Sequence, residues 1–328
     1  MKAILMSGTG GVEVLHIGEH PDPVMKEDEL LVQVKATALN RADLLQRRGK
    51  HPPPKGVPDI LGLEMAGMVV DAGAACREWN AGDRVCALLP GGGYAELVSI
   101  PAGLAMRIPG NLSFEQAAAI PEVFLTAYQN LFNVARLAPG ETVLIHAGGS
   151  GVGTAAVQLV REAGGISLVT AGSTEKIARC SALGAIAGWN YKDGPFAQWV
   201  AEQTGGRGVD IILDFVGAPY FEHNLEVLAV DGRMVVIGTL GGAEVGKFSL
   251  RTLMSKRLLI AGAGLRSMDT ARKIALTRAF SLFALPRFAD GRLVPIVDSV
   301  FDWRDVGDAH LRMESNANIG KIVLRVTG

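Results

Sequence analysis

Residues 142–163 read TVLIHAGGSGVGTAAVQLVREA. The run Thr142-Val143-Leu144-Ile145 has the apolar, β-branched character of a buried strand. Four glycines then crowd into His146–Gly153. Glycine loses more backbone entropy on ordering than any other residue, so such a cluster needs a reason. Beyond it, Val152, Ala155, Ala156, Leu159, Val160 and Ala163 fall at i, i+3, i+4, i+7, i+8 and i+11, one face of a helix. A strand, a glycine turn and a helix in that order open a dinucleotide-binding unit. Its glycines permit a tight turn, close approach to a pyrophosphate and close packing of helix on strand. The helix N-terminus offers free N–H groups and a positive dipole end to the phosphates. Gly148, Gly151, Val152 and Gly153 are therefore candidate cofactor residues. Ser150 stands where the second glycine of the fingerprint usually sits, and its hydroxyl can itself donate to a phosphate or ribose.

Outward from this stretch the rhythm continues downstream. Strand-like runs ISLVT (166–170), AIAGW (185–189), VDIILDFVG (209–217), RMVVIG (233–238) and RLLIAGAG (257–264) alternate with helical stretches. Among the latter are TEKIARCSALG (174–184) and PYFEHNLEVLAVDG (219–232). Apolar strands separated by amphipathic helices predict a parallel sheet covered on both faces. Upstream the pattern is different. LLVQVKATA (30–38), GDRVCALLP (82–90) and GGGYAELVSIP (91–101) are short β-forming runs punctuated by Gly and Pro, and KHPPPKG (50–56) is a proline-set loop. After residue 265 come one long helix, DTARKIALTRAFSLFALPRF, and two short strands, IVDSVF and GKIVLRV. The simplest architecture inserts an α/β domain, 121–265, into a β-rich domain built from 1–120 and 266–328.

Composition narrows the function classes. The chain has 328 residues, 48% of them hydrophobic and 20% charged, with a formal net charge of −1. That charge gives no global pull toward nucleic acid or an anionic membrane. The mildly basic RLLIAGAGLRSMDTARK lacks the interleaved aromatics of an RNA-binding stripe. No run approaches a membrane span, and the N-terminus is too weakly apolar for a signal peptide, so a soluble, cytoplasmic protein is expected. Cys76, Cys86 and Cys180 are scattered, as incidental thiols in a reducing compartment would be.

The second strand of the α/β domain ends in AGSTEKIA. A site for NAD usually places Asp or Glu there to hold the ribose hydroxyls. Here the tip is Ala171, Gly172, Ser173 and Thr174, with Lys176 close behind. Hydroxyls and an ammonium hold a 2′-phosphate that a carboxylate would repel. Tyr191 and Lys192, after the third strand, are placed to close over the same phosphate. NADPH is the expected cofactor.

These residues, with ALNRADLLQRRG (38–49), PDILGLEMAG (58–67), AAAIPEVFLTAYQ (117–129), LDFVG (213–217) and NIGKIVL (318–324), carry a resemblance over essentially the whole chain. The chain resembles the medium-chain dehydrogenase/reductase superfamily, in its zinc-free quinone oxidoreductase branch. The resemblance implies a GroES-like catalytic domain, a Rossmann domain binding NADPH, an active cleft between them, and commonly a homodimer through edge strands of the Rossmann sheets. Zinc-dependent members carry glycine-histidine-glutamate where this chain reads Gly62-Leu63-Glu64, so Leu63 occupies the metal-ligand position. The cysteine lobe of the structural zinc is missing as well. No metal site is expected, since tetrahedral zinc needs three or four converging ligands.

Without a Lewis acid, alkoxide chemistry is poorly served, whereas a quinone accepts hydride into a delocalised ring and needs only proximity and hydrogen-bond donors. The resemblance places Asn40 near nicotinamide and substrate, although the same residue can simply tie its loop together. His51 stands where relatives usually carry a tyrosine facing the substrate, and is either a proton or hydrogen-bond donor or an idle loop residue. Thr126 matches a position near the nicotinamide or caps a helix. Gly217, Gly238 and Leu240 lie past the fourth and fifth strands, where open α/β sheets bind ligands. Lys321 matches a position near the cofactor or is an exposed strand lysine. Asp43 and Arg41 read as a structural pair or solvated charges, and Asp214 as a turn anchor. The function expected is reduction of small aromatic quinones, ortho-quinones among them, by NADPH without metal. The alternatives are an NADPH-dependent reductase of α,β-unsaturated carbonyls and a non-catalytic, crystallin-like NADPH-binding protein.

Overall fold

The computed structural model describes residues 1–53 and 56–327. Pro54 and Lys55 of the proline-set loop, and Gly328, lie outside the described residues. The chain divides into two compact units, one made of Met1–Leu125 with the segment from Arg266 onward, the other of Thr126–Leu265.

The first unit is built on a seven-stranded sheet. Its order is Val297–Asp302, Lys321–Arg325, Glu29–Ala38, Glu64–Ala72, Arg84–Leu88 and Ala105–Arg107, with Leu97–Pro101 also paired to Glu29–Ala38. Among the described residues only the pair Val297–Asp302 and Lys321–Arg325 of this sheet is parallel. In Glu29–Ala38 the side chains of Leu30, Val32, Val34 and Ala36 are buried, while Leu31, Gln33 and Lys35 are half-exposed, the alternation of a strand with one face in a core. The chain's last strand pairs Val323 with Ala38 and Arg325 with Ala36, so the C-terminus completes a sheet begun near the N-terminus. The long helix Thr270–Ala289 starts on Asp269, which accepts a hydrogen bond from the Arg272 amide at 2.9 Å. It buries Phe280 and Phe288 against Phe124, with the Phe124 and Phe288 rings edge to face at 4.9 Å.

The second unit holds six parallel strands: β1 (Thr142–Ile145), β2 (Ile166–Ala171), β3 (Ala187–Asn190), β4 (Val209–Asp214), β5 (Leu228–Val236) and β6 (Leu259–Gly262). They lie in the order 3-2-1-4-5-6, the doubly wound arrangement whose direction reverses between β1 and β4. The helices are α1 (Gly151–Glu162), α2 (Thr174–Leu183), α3 (Ala197–Gln203), α4 (Phe221–Val227) and α5 (Leu250–Ser255). Two readings need correction. The helix read over 219–232 ends at Val227, because Leu228 pairs with Val209 and starts β5. The Lys256 ammonium meets the carbonyls of Leu225, Glu226 and Leu228 there, satisfying acceptors that the helix leaves open. In α1 burial extends beyond the apolar face, since Thr154, Val157 and Gln158 are buried too.

Candidate functional site

The glycine turn sits at the carboxyl end of β1, beside the point where strand order reverses. Ala147 enters it with φ 50°, a left-handed conformation that side chains seldom adopt. Ser150 caps α1, its Oγ accepting from the Gly153 amide at 3.0 Å, which leaves its hydroxyl hydrogen available. A Cβ at Gly153 would lie 2.5 Å from the Ala147 carbonyl oxygen, so this glycine is required by the backbone itself. A Cβ at Gly148 would lie 2.8 Å from Val169, on β2. The first-turn amides at Gly151 and Val152 have no carbonyl behind them within the helix.

The tip of β2 comes to the same place. A Cβ at Gly149 would meet the Lys176 stem at 2.9–3.1 Å, so this lysine lies directly over the glycine turn. Ser173 caps α2, accepting from the Lys176 amide at 3.3 Å. The Tyr191 phenol packs against Gly172, leaving no room there for a side chain. Ser150, Gly172, Ser173, Lys176 and Tyr191 therefore converge, and no carboxylate stands at Ala171–Thr174. This arrangement can hold a dinucleotide carrying an extra phosphate. Past β4, Asp214 does anchor its turn, accepting from Val216 at 2.8 Å and Gly217 at 3.1 Å. Gly217 has φ 84°, open to glycine and strained for others. Gly238 and Leu240 follow β5, with the Leu240 side chain 62% exposed. Thr126 is buried well inside the helix Pro121–Tyr128, so it caps nothing there.

Beneath the turn, His146 is fully buried, with Nδ1 2.9 Å from Thr170 Oγ1 and Nε2 2.8 Å from Asn224 Oδ1. Burial pushes its pKa down to about 4. The ring ties β1, β2 and α4 together.

The first unit gathers a buried polar cluster. Asn40 caps the short helix Arg41–Arg47, and its own amide is held by the Asp43 carboxylate at 2.7 Å. Its side-chain Nδ2 donates to Glu64 Oε1 at 2.8 Å and to the Ala38 carbonyl at 3.3 Å. Its Oδ1 accepts from Lys321 Nζ at 2.6 Å. Lys321 also pairs with Glu64 at 2.7 Å and donates to the Leu39 carbonyl, which occupies all three ammonium hydrogens. Lys321 is thus 3% exposed, not a surface lysine, and both Asn40 amide hydrogens are committed to protein acceptors. Glu64 also accepts from the Glu122 amide at 2.8 Å.

Asp43 is neither solvated nor paired with Arg41, which donates to Asn316 at 2.7 Å. Asp43 is 1% exposed and receives the amides of Asn40 and Gly62 and the Tyr94 hydroxyl. Burial raises its pKa to about 6, against those amides and Lys321. The Glu122 carboxyl is pushed up to about 8 by burial and then by Glu64, so it carries its proton at neutral pH. The His51 pKa is lowered, first by burial and then by the Arg266 charge. Sequence reasoning missed Glu64, Glu122, Gln46 and Arg266. Nothing in the local pattern distinguishes them from surface polar groups; only the fold does, burying Glu64 and Gln46 and half-burying Glu122 and Arg266.

The Leu63 side chain is buried at 2% exposure and brings no metal ligand. Among the described residues no group of three or more His, Cys, Asp or Glu could hold a metal ion, and no helix is long and apolar enough to cross a membrane. The three cysteines are free and buried.

Comparison with known proteins covers both units. Residues 26–110 match the alcohol dehydrogenase GroES-like domain family, and residues 151–280 the family described as zinc-binding dehydrogenase. A quinone oxidoreductase of Lama guanicoe is 30% identical, over 99% of this chain and 97% of that protein. The human synaptic vesicle membrane protein VAT-1 homolog-like is 29% identical, over 99% of this chain and 81% of that protein. The crystal structure of Escherichia coli quinone oxidoreductase complexed with NADPH superposes with a TM-score of 0.89 at 31% identity, covering 99% of this chain and all of that one.

Proposed function

From the premise that the chain belongs to the medium-chain dehydrogenase/reductase superfamily, in the branch with the quinone oxidoreductases, we propose that it reduces small aromatic quinones with NADPH and without a metal. The observation that carries the reading is the convergence of Ser173, Lys176 and Tyr191 on the glycine turn, with no carboxylate at the end of β2. The residues fit the cofactor: the α1 amides and the Ser150 hydroxyl would hold its pyrophosphate, and Ser173, Lys176 and Tyr191 its 2′-phosphate. When bound, NADPH supplies the hydride. The chain's residues do the rest. Gly217 and Gly238 border the strand ends with backbone alone, and Lys321 and Glu64 keep Asn40 rigid. The Glu122 carboxyl stores a proton at neutral pH, which quinone reduction consumes, and His51 offers a neutral N–H. Leu63 in the metal-ligand position supports metal-free reduction. A homodimer accompanies this reading, supported by the edge strand β6, where Leu259 is 65% and Ile260 37% exposed.

The test is side-by-side turnover of 9,10-phenanthrenequinone and a simple enone, with NADPH and with NADH, in the presence of a chelator. Quinone reduction by NADPH that persists under chelation is expected. Reduction of the enone alone would end the quinone reading, and loss of activity on chelation would end the metal-free one.

A further inference from the structure

We propose that Gln46 and Arg266 form an oxyanion-binding subsite in the first unit, which takes a carboxylate or phenolate oxygen on an aromatic ligand. That this ligand is the reducible substrate rests on the reductase reading above; the subsite itself does not.

Gln46 lies in the last turn of the helix Arg41–Arg47 and is 4% exposed. Its Oε1 accepts from Arg266 Nη2 at 2.7 Å. That bond fixes which way the amide faces, because the reversed amide would set N–H against N–H. Nε2 consequently points away from that bond, and it is buried with no hydrogen-bond partner among the described residues. Arg266 shows the same deficit. Its Nε donates to the Pro90 carbonyl at 3.2 Å and Nη2 to Gln46, but Nη1 is buried and has no partner among the described residues. Among the described residues no carboxylate pairs with this guanidinium at salt-bridge distance.

Two orphaned donors thus sit on groups that share a hydrogen bond. A buried donor left unsatisfied costs about 1–3 kcal/mol, more when charged, and native proteins rarely carry two side by side without use. Amide and guanidinium N–H groups only donate, so the complementary atom is an acceptor. The guanidinium charge selects an anionic one. The surroundings reinforce this sign. Lys273 Nζ, held by the Arg266 carbonyl at 2.9 Å, adds a second cation, and the Arg266 charge already disfavours protonation of His51. Burial lowers the Arg266 pKa and Asp43 and Glu122 oppose that, while a guanidinium keeps its charge in proteins.

The experiment is equilibrium titration of the cofactor-free chain by calorimetry, with benzoate in one arm and 4-nitrophenolate at alkaline pH in the other. Wild type is compared with Gln46→Leu, Arg266→Met and Gln46→Glu, each checked for an intact thermal transition. Gln46→Glu keeps the side-chain volume and gives Arg266 an internal carboxylate, so it answers the question even if the other variants misfold. The subsite predicts that wild type binds at least one anion and that Gln46→Glu weakens it at least tenfold. Binding of benzoate alone identifies a carboxylate ligand, and binding of 4-nitrophenolate alone a phenolate one. Failure of wild type to bind either anion overturns the proposal. So does undiminished binding by folded Gln46→Glu. Quinone turnover plays no part in the readout, so anion binding without quinone reduction would sink the reductase reading and spare the subsite.

Discussion

Replacing His146 with Gln should remove part of the protein's acid lability. The ring is buried and takes up a proton only near pH 4, whereas an unfolded histidine does so near 6.5. Between those values the unfolded chain binds more protons than the folded one. The stability contributed by the neutral ring is therefore complete above pH 6.5 and is lost as pH falls through the window toward 4. The whole gap corresponds to about 3 kcal/mol, and the part between pH 7 and pH 5 to about 2 kcal/mol. Glutamine can still hydrogen-bond to Thr170 and Asn224 but does not titrate. His310, also buried and lowered to about 3, titrates equally in both proteins and cancels. The assay is urea unfolding at pH 7 and pH 5, followed by tryptophan fluorescence; Trp189 and Trp199, stacked at 5.9 Å, report on the same unit. Wild type should lose about 2 kcal/mol more than His146→Gln across the interval. Equal losses would show that the His146 ring is not held neutral by its surroundings.

Lys176→Ala should weaken NADPH at least tenfold, about 1.4 kcal/mol, and NADH far less; fluorescence titration with both cofactors checks this, and equal weakening would show that Lys176 does not read the phosphate. Gly153→Ala forces a methyl to 2.5 Å from the Ala147 oxygen, so a drop of several degrees in melting temperature and loss of cofactor binding are expected. Lys321→Met leaves Glu64 buried beside a thioether and should cost about 3–5 kcal/mol in denaturant unfolding. Removing both charges with Glu64→Gln in the same chain should recover part of that loss, and no recovery would mean the pair is not the source.

The sequence by itself determined most of the second unit, although the first residues of β5 read as helix in it. Its strands, its glycine turn and the missing acid after β2 are all written in patterns shorter than a helix, because backbone sterics and local periodicity act over a few residues. The sequence also exposed Leu63 as a non-ligand and Asp214 as a turn anchor. The polar cluster of the first unit was decided only by tertiary structure. Asn40 meets Glu64 from 24 positions away and Lys321 from 281, and Asp43 shows its raised pKa only once burial has removed its water. The sequence leaves Lys321 open between a position near the cofactor and an exposed strand lysine, and nothing in it singles out Arg266. Folding decides whether a charge is hydrated, paired or left with an unused donor, because desolvation depends on what the rest of the chain packs around it.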